Sequence, residues 1–135
     1  LDQDASIDTL VLTNVDDVVD LNQVRKAALF VRSKWIDTVL SRGASVSGGW
    51  LDFFMAGKKR YLADKEDFSV IFRFANPRLV NLPMNHPDHL EHLDFYAKLG
   101  FNPGFYRDMV DLGQSEQELS LEQLKKYQII SEKAE

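Results

Sequence analysis

Apolar and polar positions alternate over "SIDTLVLTN", residues 6–14, with Ile7, Thr9 and Val11 on one side and Asp8, Leu10 and Leu12 on the other. A period of two in β-branched and aliphatic residues predicts a strand. The period then lengthens. Val24, Ala27, Ala28, Val31, Trp35, Val39 and Leu40 fall on one stripe at helical spacing, which predicts a single long helix closed by Arg42 and Gly43. Asn14, Asp16 and Asp17 supply cap oxygens and favourable charge at its start.

"ASVSGG", residues 44–49, reads as a connector. Residues 50–65 admit two readings. Leu51, Phe54, Met55 and Leu62 can share a helical face, but Gly57 interrupts it. Rings and Tyr61 suit two strands turning at Ala56, Gly57 and Lys58, and this hairpin is the expectation. "FSVIFRFA", residues 68–75, alternates clearly and is a strand ended by Asn76 and Pro77. A helix follows, with Pro87 at its first position, Asp88 in its first turn and Gly100 at its end. Leu90, Leu93 and Ala97 would form its inner face. A turn at 102–104, a short helix in "FYRDMVDLG" and a last helix around 120–131 complete the chain. Ser120 with Gln123, or Ser115 with Glu118, would form a capping box for that last helix. The order predicts a single α+β domain over residues 1–135. A small antiparallel sheet would be packed by one long N-terminal helix, with further helices in the C-terminal third.

Composition narrows the classes. With 44% hydrophobic and 27% charged residues the chain can bury a core and is not compositionally disordered. No apolar run approaches a membrane span, so no membrane partner is expected. No signal-peptide pattern is visible, although a chain beginning at Leu1 leaves room for a removed leader. Without cysteine there is no disulfide, thiolate ligand or thiol nucleophile; with no Asn-x-Ser/Thr sequon as well, a cytoplasmic location is the expectation. The net charge of −5 divides into −6 over residues 1–20, +6 over 21–87 and −5 over 88–135. A basic middle can be a binding footprint, or the fold can simply neutralise it against the acidic ends.

Candidate chemistry is sparse. All three histidines, His86, His89 and His92, lie in "MNHPDHLEHLDF", residues 84–95, and His89, His92 and Tyr96 share one side of the expected helix. Imidazoles three apart can share a metal ion, but neither H-E-x-x-H nor a cysteine accompanies them. The plainer reading is a surface helix start, with imidazoles solvated or capping the backbone. Lys58, Lys59, Arg60 and Tyr61, with Trp50, Phe53 and Phe54 nearby and Arg25, Lys26, Arg32 and Lys34 on the long helix, outline a ligand or partner surface. "GASVSGG", residues 43–49, fits neither a phosphate loop nor a nucleophile elbow. Asp52, Asp64, Asp108 and Asp111 are available carboxylates that spacing does not bring together.

One stretch has relatives in words. "FYAKLGF", residues 95–101, resembles the helix end of vicinal-oxygen-chelate enzymes (the glyoxalase family) and of GNAT acetyltransferases. Its physics is local: Phe95 and Tyr96 pack inward, Gly100 takes the left-handed cap and Phe101 folds back. A GNAT fold would imply a glycine-rich pyrophosphate loop, which is absent. A glyoxalase module would imply strands in the 34 residues that follow, and these read as helical. The seven residues therefore assign neither family. The expected function is a small binding, regulatory or accessory domain with no evident catalytic machinery and no implied cofactor. It would act on a protein or small ligand and self-associate through its ring-rich segment. The alternatives are a metal-dependent enzyme centred on the histidines and a nucleic-acid-binding module using the basic middle.

Overall fold

The computed structural model describes residues 9–13, 20–74 and 77–131. The strand β1 (Thr9–Leu12) comes first, followed by the helix α1 (Leu21–Ser33). The expected caps at Asn14, Asp16 and Asp17 lie outside the described residues. The cap in place is Asp20, whose carboxylate accepts from the backbone N–H of Asn22 at 2.9 Å.

The expected long helix stops early. Lys34 ends α1, and Trp35 takes a left-handed conformation with φ 59°. A side chain there costs about 1 kcal/mol. The chain then enters the strand β2 (Asp37–Leu40), which buries Thr38 and Leu40 in alternation. Val39 and Leu40, which extended the helical stripe in the sequence, belong to this strand. The connector is itself a strand, β3 (Ser45–Ser47). The expected hairpin over residues 50–65 is instead the helix α2 (Gly49–Met55), a tight turn and the strand β4 (Arg60–Leu62). The turn rests on Gly57, where an added Cβ would lie 2.8 Å from the Thr38 nitrogen and 2.9 Å from the Lys59 carbonyl oxygen. The Gly57 carbonyl accepts from Arg32 Nη1 at 3.0 Å and Arg60 Nη1 at 2.8 Å.

β5 (Ser69–Arg73) falls where alternation places it, and a 3-10 turn spans Pro77–Asn81. α3 (Pro87–Lys98), α4 (Gly104–Leu112), β6 (Glu116–Glu118) and α5 (Leu121–Lys126) complete the order. Gly100 is left-handed and the Phe101 N–H reaches back to the Tyr96 carbonyl at 3.0 Å. Ser120 and Gln123 form the capping box of α5, while Ser115 precedes β6.

The fold is α+β, but its sheet is not the single antiparallel one expected. Strands β1, β2 and β4 form one parallel sheet, in the order β1-β2-β4. Strands β3, β5 and β6 form a second, in which β3 pairs parallel and β6 antiparallel to the central β5. Parallel pairing requires a crossover, and α1 provides it between β1 and β2. α1 packs on α2, and the core joins Leu40, Val46, Leu51, Phe54, Phe72, Phe105, Leu124 and Ile129. Arg60 ties the C-terminal end to this body: Nε donates to the Ile129 carbonyl at 2.7 Å and Nη2 to that of Gln128 at 2.8 Å. Burial and the neighbouring Arg32 charge lower the Arg60 pKa to about 10.

Candidate functional site

The face of α3 that meets the core is only in part the aliphatic one expected: Leu93 is half-buried against the core, but its two companions are not. Leu90 is 53% exposed and Ala97 is exposed, whereas His89, His92, Phe95 and Tyr96 are buried. Burial of polar rings is tolerable only where they find partners. His89 finds two. Its Nε2 donates to the Leu82 carbonyl at 3.1 Å, and in the tautomer protonated there Nδ1 accepts from the Tyr106 hydroxyl at 2.8 Å. His92 stacks on the Tyr106 ring, with centroids 5.9 Å apart and planes inclined by 22°. His86 does what the plainer reading expects, capping α3 by accepting from the Asp88 N–H at 3.1 Å. Among the described residues no three His, Asp or Glu side chains are grouped to hold a metal ion.

Beside this face lies a polar triad assembled from three helices. Asp52 of α2 is buried. Its Oδ1 accepts from the Tyr96 hydroxyl at 2.6 Å and its Oδ2 from Arg25 Nε of α1 at 3.1 Å. The side chains of Arg25 and Asp52 are only 12% and 5% exposed. The Arg25 guanidinium carbon sits 4.4 Å from the centroid of the Phe95 ring, so an aromatic floor supports the charge. Burial raises the Asp52 pKa above the usual carboxylate value, against the pull of Arg25 and Tyr96. Burial and the Asp52 charge raise Tyr96 well above the usual phenol value. Burial, then the Arg25 charge, lowers His92 to about 4, so its imidazole is neutral at physiological pH.

These groups open onto a cavity of about 180 Å³, walled by Leu21, Gly48, Gly49, Phe72, Arg73, Phe74 and Leu79 as well as Arg25, Asp52, His92, Tyr96 and Tyr106. Two features of its wall bear on ligands. Arg25 gives the protein only its Nε; its two Nη groups have no hydrogen-bond acceptor among the described residues. The His92 ring nitrogens likewise have no hydrogen-bond partner among the described residues. A fixed cation and a neutral imidazole thus face the same small space. Such a wall can hold an anionic group through the guanidinium fork and a second polar group through the imidazole.

The other residues singled out from sequence have different surroundings. Phe54 is core, and Trp50 and Phe53 are half-buried against it, in edge contact at 5.6 Å. The ring-rich segment that motivated self-association is therefore largely inside. The Trp50 indole N–H is buried without a hydrogen-bond partner among the described residues. Arg60 is committed to carbonyls, and Tyr61 is half-buried in β4. Lys58 and Lys59 are exposed. Asp64 pairs with Arg42 at 3.4 Å, and Asp108 accepts from the Tyr127 hydroxyl at 2.7 Å. Sequence reasoning had Arg25 in a basic surface and Asp52 among loose carboxylates. The one signal for their meeting place was Tyr96, on the same side of α3 as His89 and His92.

No protein-family model, no curated protein and no solved structure matches the chain. Among the described residues no helix is long and apolar enough to cross a membrane.

Proposed function

We propose that this domain is a binding module for a small anionic ligand, a carboxylate or phosphate compound seated in the cavity between α1, α2, α3 and α4. The observation that carries the reading is the pair of polar groups on the cavity wall that have no hydrogen-bond partner among the described residues, Arg25 Nη and the His92 ring nitrogens, beside a buried network that is hydrogen-bonded. Asp52 and Tyr96 orient the guanidinium and lower its rotational freedom before a ligand arrives, which favours binding. A neutral His92 adds no second charge, and so accepts or donates a hydrogen bond without repelling Arg25. The domain acts through what it holds, as a regulatory or accessory unit, and no bond-making step is assigned to it.

The test is calorimetric titration of the whole chain with acetate, succinate, citrate and inorganic phosphate. At least one should bind with a submillimolar Kd. Arg25→Lys should weaken it tenfold or more, because lysine keeps the counter-charge for Asp52 but lacks the two-pronged fork. Absence of binding by all four probes at millimolar concentration, or an unchanged Kd in Arg25→Lys, overturns the reading.

A further inference from the structure

The end of α1 closes in a way that places an unusual residue in solvent. The Trp35 N–H donates to the Arg32 carbonyl at 3.3 Å and the Ile36 N–H to the Val31 carbonyl at 3.4 Å, while Ile36 and Val31 are both buried. This is a Schellman stop, whose left-handed position favours glycine. After α3 the same position holds Gly100, φ 90°. After α5 it holds Gln128, φ 59°, whose carbonyl anchors Arg60 Nη2. Trp35 has neither excuse. It carries a side chain where glycine would be strain-free, its carbonyl has no hydrogen-bond donor among the described residues, and it is 68% exposed. Neither packing nor backbone geometry calls for tryptophan here, and strain of this kind collects at functional positions.

Its surroundings define the chemistry. Lys58 Nζ lies 4.7 Å from the Trp35 ring centroid, and the Lys58 N–H donates to the Ile36 carbonyl at 2.8 Å, which fixes that turn beside the end of α1. Phe30, 42% exposed, lies one turn earlier with Lys34 Nζ at 5.4 Å from its centroid. Lys26 precedes Phe30 by four residues on the same helical stripe, and Lys59 follows Lys58; both are exposed. None of these four lysines has a carboxylate within ion-pair distance among the described residues. Two exposed rings are therefore flanked by four cations whose ammonium groups pair with no acid among the described residues, in the basic middle of an otherwise acidic chain; the nearby Asp37 carboxylate is engaged by the Lys59 backbone N–H at 3.1 Å.

We infer that this surface, Phe30 and Trp35 with Lys26, Lys34, Lys58 and Lys59, binds single-stranded nucleic acid. An ammonium over one face of a ring leaves the other for a base to stack on, and the lysines meet the phosphates. An anionic membrane is the weaker match, because interfacial anchoring needs apolar area. The exposed aliphatic residues Val11, Leu90 and Leu112 belong to β1, α3 and α4 rather than to this surface.

The deciding experiment is fluorescence anisotropy of a labelled 12-nucleotide thymidine oligomer titrated with the whole chain at 50 mM salt. Micromolar binding is expected, weakening steeply as salt rises. Trp35→Gly should lose tenfold or more in affinity while its thermal midpoint stays level or rises, since glycine relieves the strain. Lys58→Ala with Lys59→Ala should flatten the salt dependence. Arg25→Lys should leave oligomer binding unchanged, which separates this surface from the cavity. The inference is overturned by absence of binding, by a Trp35→Gly variant that binds normally, or by one that melts markedly lower. It is equally overturned if only phosphatidylserine vesicles or a poly-glutamate peptide bind in a Trp35-dependent way.

Discussion

Replacing Arg25 by Met should unmask how far Asp52 depends on its partner. Methionine keeps an apolar stem over Phe95 but removes the charge, leaving Asp52 buried with the Tyr96 hydroxyl alone. At the observed 3.1 Å separation, an effective dielectric of about 20 gives a gross attraction of about 5 kcal/mol. Desolvation of both groups offsets much of that in the intact pair. Breaking a buried pair from one side nonetheless costs about 3–5 kcal/mol, because the remaining charge stays uncompensated. The carboxyl can escape by binding a proton. Its folded-state pKa, already raised by burial, should rise further without Arg25. A raised acid contributes stability that is fully present below the unfolded pKa, about 4, and is lost as pH rises through the folded value. The deficit of Arg25→Met should therefore be largest near pH 7.5 and shrink by up to about 1.4 kcal/mol per unit on acidification below the folded pKa. Arg25 also holds His92 down, so its removal reduces acid destabilisation through the imidazole as well, with the same sign. Urea unfolding at pH 7.5, 6 and 5 in a His92→Phe background isolates Asp52. The double variant Arg25→Met, Asp52→Leu should recover most of the loss at pH 7.5. A deficit independent of pH, or a double variant as damaged as its two single variants combined, refutes the reasoning.

Three further outcomes follow from the same geometry. His92, held at about 4 in the fold, contributes stability that is present above its ordinary 6.5 and lost as pH falls through 4; discounted for the ring's contact with the cavity, the loss is about 1–2 kcal/mol, and His92→Phe should remove that acid-side slope in urea titrations. Tyr106→Phe strips the buried His89 Nδ1 of its donor and should cost about 1–3 kcal/mol at pH 7.5 by thermal or urea unfolding; a neutral result would mean the hydroxyl is not its essential partner. Gly57→Ala should cost about 1–3 kcal/mol or prevent folding, because the new methyl meets backbone on two sides, and wild-type stability would contradict the close approach.

Local signals survived into the fold where local physics decides. Alternation in "FSVIFRFA" became β5, Pro87 and Gly100 bounded α3, and Ser120 with Gln123 capped α5, since each depends on neighbours a few residues away. The boundary between α1 and β2 was not legible. Val39 and Leu40 continue a helical spacing and also fit a strand, and what selects the strand is pairing with β1 and β4, distant in sequence. The same holds for residues 50–65, where β4 is a strand because it lies parallel to β2.

The buried face of α3 shows the limit most clearly. Hydropathy alone turns Leu90 inward and the histidines outward. The fold reverses this because Tyr106, seventeen residues on, and the Leu82 carbonyl satisfy His89. The cavity depends still more on tertiary contacts, since Arg25 reaches across 27 residues and Tyr96 across 44 to meet Asp52. Sequence by itself determined the α+β class, the bounds of α3, the cap of α5 and which residues carry charge. Which polar groups are buried, which are satisfied and which are left facing a cavity was decided by packing, because a hydrogen bond between elements far apart in the chain leaves no periodic trace along it.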